Sequence, residues 1–107
     1  MAIPPPRLPA SAVDAALLLH PGWQRVDEQL GVAYRFASFA AAVAFTQRVA
    51  AIAEAQQHHP EWTVRYRVVA LRTTTHDAGG LTQRDLDLLV AITALATASG
   101  ATPIVAS

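Results

Sequence analysis

His58 and His59 stand together in front of Pro60, with Glu54 four residues before the first of them and His76 and Asp85 further along the chain. Imidazoles titrate near neutral pH, so these groups suit general acid and base work without a metal or an organic cofactor. Glu54 falls one helical turn before His58, where a carboxylate can orient the ring. Adjacent residues point in different directions, so one histidine of the pair is expected to move protons while the other contacts a substrate. The structural alternative is that His58 caps a helix C-terminus and His59 fills a turn. His76 follows Thr73, Thr74 and Thr75, and read alone it is a solvated loop residue. Asp85, three residues after Thr82, has the position of a carboxylate in the first turn of a helix. His20 precedes Pro21 and is read as a helix-end residue. A metal shared by His58, His59 and His76 is not expected, because neighbouring histidines rarely converge on one ion and no His-x-x-x-His pair exists.

Composition narrows the alternatives. The 107 residues carry 8 basic and 8 acidic side chains and 52% hydrophobic positions, which describes one small domain with one modest core. All 8 basic residues are Arg, so there is no Schiff-base lysine, and the zero net charge argues against gripping nucleic acid. The absence of cysteine excludes disulfides, thiolate nucleophiles and Cys-ligated zinc. No Gly-x-Ser-x-Gly, P-loop or Gly-x-Gly-x-x-Gly pattern occurs. No apolar run is long enough to span a membrane, and Asp14 interrupts the only stretch resembling a signal peptide, so a cytoplasmic protein is expected.

The elements that must position these residues follow from periodicity and turn chemistry. Residues 1–10 hold Pro4, Pro5, Pro6 and Pro9 and are expected to form a flexible lead-in outside the core. Ser11 and Asp14 suggest a short capped helix that stops at Pro21-Gly22, followed by a hairpin turning at Asp27-Glu28-Gln29. Ser38 can cap a long helix reaching about His58, with Phe39, Val43, Phe45, Val49 and Ile52 as its apolar stripe. Pro60 forces a turn before a strand of fourteen residues, Trp62 to Thr75, whose change of parity near Arg67-Val68 predicts a bulge. Its length suggests an edge open to another subunit. Thr82 starts a last amphipathic helix that ends near Gly100, and residues 101–107 form a tail. The expected fold over residues 11–100 is α+β, in two layers. Its mainly antiparallel sheet has about four strands, covered on one face by a long helix and two shorter ones.

Glu54, His58-His59-Pro60, Tyr66, His76 and Asp85 together resemble the signature of the pterin-4a-carbinolamine dehydratases, also known as the dimerisation cofactor family of a homeodomain transcription factor. The resemblance extends through Gly22-Trp23, Phe36, Pro60-Glu61-Trp62, Gly80-Leu81 and Arg84-Asp85, roughly residues 12 to 96. It implies dehydration of 4a-hydroxytetrahydropterin to quinonoid dihydropterin, without metal or cofactor. By the same analogy His58 and His76 are the acid and base groups, His59 contacts the leaving hydroxyl, and Glu54 orients His58. Pterin contacts are implied at Gln57, His58 and His59 and at Thr74, Thr75, His76 and Asp77, with Pro60, Trp62, Tyr66 and Asp85 as supporting positions. A homodimer or homotetramer and a functional link to an aromatic amino-acid hydroxylase are implied too. The alternative is a non-catalytic dimerisation or assembly-factor module of the same fold.

Overall fold

A computed structural model describes residues 3–105. The elements run α1 (Ala10–Leu19), β1 (Gln24–Val26), β2 (Gln29–Arg35), α2 (Phe39–Gln56), β3 (Glu61–Arg65), β4 (Val68–Thr73), α3 (Gln83–Ala98) and β5 (Thr102–Pro103), with a short 3₁₀ turn at His76–Ala78. All pairings are antiparallel, in the order β1-β2-β4-β3, and β5 also pairs with β2. The expected α+β class holds, with five strands in place of about four.

Alternation along the central strands builds the core. Leu30, Val32 and Tyr34 of β2 and Val69, Leu71 and Thr73 of β4 face the helices and are buried. From α2 come Ala42, Phe45, Val49 and Ala53, spaced three to four residues apart on one helix face. This stripe differs from the sequence expectation: Phe39 is 54% exposed, and alanines occupy two of the buried positions. Phe45 lies between Tyr34 and Phe36, with ring centroids 5.9 and 4.8 Å away, and burying such a side chain contributes roughly 1.5–3 kcal/mol. Burial also pushes the Tyr34 hydroxyl pKa up from its ordinary value, partly offset by hydrogen bonding with Thr93 and Trp23.

Several expected boundaries move. The first helix is entered from Pro9 rather than Ser11, since Pro9 needs no N–H partner and its carbonyl takes the N–H groups of Ala12 and Val13. The lead-in is tied down: Leu8 donates its N–H to Leu81 at 2.8 Å and packs against the core. The C-terminal tail contributes β5, and Ile104 N–H bonds to the Ala33 carbonyl at 2.8 Å. Gly22, at φ +96°, makes this approach feasible, because a Cβ there would sit 2.7 Å from Pro103 Cβ. The ends of the lead-in and tail, residues 1–2 and 106–107, lie outside the described residues.

The predicted fourteen-residue strand is instead a hairpin. Arg65 pairs with Val68, so Tyr66 and Arg67 form a two-residue loop, and the change of parity marks a chain reversal rather than a bulge. Tyr66 adopts φ +52° and is 72% exposed. A β-carbon in this region costs roughly 1–2 kcal/mol. Tyr66→Gly is therefore expected to raise the unfolding free energy by about 1 kcal/mol, read as a higher urea midpoint. A lower midpoint would show that the Tyr66 ring contributes more than its backbone costs.

Candidate functional site

The end of α2 decides where the paired histidines go. Gln57 takes the left-handed conformation (φ 56°, ψ 38°), with its N–H on the Glu54 carbonyl at 3.2 Å and the His58 N–H on the Ala53 carbonyl at 3.0 Å. This is a Schellman closure, made without the usual glycine. It reverses the chain, and Pro60 then holds the next segment extended. His58 is carried into the interior at 8% exposure, while the His59 side chain stays 62% exposed.

Once the chain has left the helix, the one-turn spacing of Glu54 and His58 no longer brings them together. Glu54 Oε1 meets His59 Nε2 at 2.8 Å, and the expected partnership with His58 is corrected accordingly. His58 Nε2 lies 2.7 Å from Asp85 Oδ1. Asp85 is fully buried: Oδ1 also accepts from the Thr73 hydroxyl at 2.7 Å, and Oδ2 accepts from the Thr75 hydroxyl at 2.7 Å and the Thr82 N–H at 3.0 Å. An ionised carboxylate only accepts, so His58 donates to Asp85 from Nε2. Thr82 accepts in return from the Arg84 N–H at 3.2 Å, completing the cap of α3. Asp85 thus has both the helix-cap role read from its spacing and a second role that spacing did not show.

His59 and His76 line one depression, together with Gln29, Glu61, Arg72, Thr73 and Thr74. His58 does not line it. Its remaining surface borders a separate depression with Gln56, Arg84 and Asp87. Thr73 links the two regions, since it lines the first depression and lies 3.2 Å from His58 Nε2. Thr74 also lines the depression, its hydroxyl donating to the Glu28 carbonyl at 2.6 Å. The Thr75 hydroxyl is not available to a substrate, because the alternation of β4 continues to Thr75 and turns it toward Asp85. Asp77 sits exposed in the 3₁₀ turn, and Gln57 is exposed with its amide directed back to the Glu54 carbonyl at 3.4 Å; neither lines the depression. Pro60 and Trp62 are half-buried, Trp62 packing against the core, and Tyr66 serves the hairpin turn.

A second depression shares Gln29, Thr74 and His76 and adds Asp27, Glu28, Gly79 and Gly80. Sequence reasoning missed Gln29, Glu61, Arg72 and Thr73. The available signal was Thr73 itself: a polar residue in phase with Val69 and Leu71 marks where the buried face of β4 meets a polar centre.

Comparison with known proteins gives this geometry its context. The family model described as pterin 4 alpha carbinolamine dehydratase matches residues 6–95. The chain belongs to that family. It is 44% identical over 87 residues to a Chloroflexus aurantiacus protein named "Putative pterin-4-alpha-carbinolamine dehydratase", covering 81% of this chain and 94% of the relative. A Thermomicrobium roseum protein of the same name is 45% identical over 82 residues, covering 77% and 88% of the two chains. A crystal structure described as a transcriptional coactivator/pterin dehydratase from Brucella melitensis superposes with a TM-score of 0.80 at 35% identity, covering 84% of this chain and 98% of that one.

Proposed function

We propose that this chain removes water from 4a-hydroxytetrahydropterin to give quinonoid dihydropterin. The carrying observation is that His59 and His76 share one depression, with His59 bonded to Glu54, inside a chain of the dehydratase family. In the reaction the C4a–O bond breaks and the hydroxyl leaves as water after accepting a proton. The lone pair of N5 forms the new C=N bond, and a ring nitrogen gives up a proton. Two imidazoles at the substrate can serve the two proton transfers. We assign His59 to the leaving hydroxyl and His76 to the ring proton, with Glu54 holding the His59 ring. His58 becomes a positioning residue, fixed by Asp85 and joined through Thr73 to the floor of the depression. This replaces the acid-base pairing of His58 with His76 drawn from the resemblance, because His58 and His76 border different surfaces.

The test is stopped-flow loss of enzymatically generated 4a-hydroxytetrahydropterin at neutral pH. Acceleration that disappears in His59→Ala/His76→Ala supports the reading. No acceleration by the folded protein overturns it and favours a non-catalytic module. Glu54→Gln separates function from folding. With side chains 74% and 62% exposed, the Glu54–His59 pair contributes less than about 1 kcal/mol to stability. Turnover is nevertheless expected to fall about tenfold at an unchanged urea midpoint, and unchanged turnover would remove Glu54 from the mechanism.

The proposal extends to a cytoplasmic homodimer or homotetramer serving an aromatic amino-acid hydroxylase. Among the described residues no helix is long and apolar enough to cross a membrane. The edge strand in that region is β3, five residues long, rather than the longer strand read from the sequence. Light scattering at micromolar concentration is expected to report two or four subunits, and a monomer would refute the assembly.

A further inference from the structure

Glu61 and Arg72 face each other across β3 and β4, on the sheet surface away from the helices. Directly opposed residues of opposite charge ordinarily stand close enough to pair. The ion pairs among the described residues are nevertheless Arg25–Glu28, His58–Asp85 and His59–Glu54, and Glu61 and Arg72 form none. Both instead line the depression that holds His59 and His76. An exposed carboxylate and an exposed guanidinium are therefore offered side by side to whatever occupies the site.

We propose that Glu61 and Arg72 read the 2-amino-4-oxo edge of the pterin ring and set the enzyme's selectivity for it. The inference rests on the dehydratase reading above. That edge presents, in order, the 2-amino group, the N3–H and the 4-oxo group, which are donor, donor and acceptor. A carboxylate accepts from the first two in a two-point contact, and a guanidinium donates to the third. Neither Lys nor a neutral side chain supplies the flat, multiply donating head of Arg at such a contact. With this edge held by β3 and β4, the reacting half of the bicycle is left to the histidines.

The experiment compares binding of 7,8-dihydropterin with that of 7,8-dihydrolumazine, in which an oxygen replaces the 2-amino group. The wild-type protein is expected to prefer the dihydropterin by about tenfold or more, because the 2-oxo group sets acceptor against acceptor at Glu61. Glu61→Gln is expected to abolish that preference, since the amide can turn to donate to the 2-oxo group, and Glu61→Ala provides the same comparison. Arg72→Gln is expected to weaken both ligands alike, because both keep the 4-oxo group. A wild-type protein without the preference, or a Glu61→Gln protein that retains it, overturns the inference. Unchanged affinities in Arg72→Gln remove Arg72 from it. Stopped-flow dehydration by the wild-type protein, measured separately, tells failure of this contact from failure of the dehydratase reading. If catalysis persists while the preference is absent, only the contact is wrong.

Discussion

Replacing His76 by alanine is expected to lower kcat by about 10²–10⁴-fold, the usual contribution of a positioned acid or base. His76 borders the depression on a loop and is exposed, so its removal should leave the unfolding free energy within about 0.5 kcal/mol of the wild type. His59→Ala is expected to lower kcat as well, through loss of the proton donor to the leaving hydroxyl, again with little effect on folding. His58→Ala should behave differently. It deprives the buried Asp85 Oδ1 of one donor, so turnover and stability should fall together, the latter by about 1–3 kcal/mol. Stopped-flow rates and urea titrations on the three variants separate these cases. A His58→Ala protein of wild-type stability and much reduced kcat would return His58 to the substrate and overturn its positioning role. Equal losses of kcat in all three would dissolve the division of labour.

Asp85→Ala should be the most damaging single change to the fold. It strands four donors at one buried point: His58 Nε2, the hydroxyls of Thr73 and Thr75, and the Thr82 N–H. Removing the acceptor of a buried polar cluster costs about 3–5 kcal/mol, against a total of roughly 5–15 kcal/mol for a typical domain. The protein is expected to unfold at markedly lower urea, with the α3 cap lost along with the histidine contact. Asp85→Asn is the finer probe. Its oxygen can continue to accept from Thr75 and from the Thr82 N–H, which cannot rotate away, leaving the amide NH₂ to face His58 and Thr73. His58 must then accept at Nε2 and carry its proton on Nδ1. The expected result is a folded protein, destabilised less than Asp85→Ala, with reduced turnover. Full turnover in a folded Asp85→Asn protein would show that the proton placement on His58 does not matter.

Local chemistry made much of this protein legible in its sequence. Ser38 does cap α2, accepting from the Ala41 N–H at 3.0 Å, and Thr82 with Asp85 does open α3, because such caps involve only neighbours along the chain. Alternation in Val32, Tyr34 and Phe36 and the capped, alanine-rich run after Ser38 were enough to give an α+β sheet with helices on one face. The histidine spacing, matched to a family pattern, was sufficient to name the chemistry to look for.

Other features depended on contacts that no local rule encodes. The Tyr66-Arg67 reversal carries none of the glycine or asparagine that announces a tight hairpin, and it is held by β3 pairing with β4 and by the Arg67 carbonyl accepting from Phe36 N–H at 2.8 Å. Gln57 likewise gives no glycine signal for the Schellman turn, yet that turn sends His58 inward and His59 outward and passes Glu54 from the first to the second. The sequence by itself determined the three helices, the first hairpin and which side chains could carry protons, since propensity, capping and periodicity act within a few residues. Only the tertiary structure decided that His58 belongs to Asp85, that His59 and His76 share a depression, and that Glu61 and Arg72 border it. Those pairings join residues far apart in the chain, and they are selected by the requirement that buried donors and acceptors find partners.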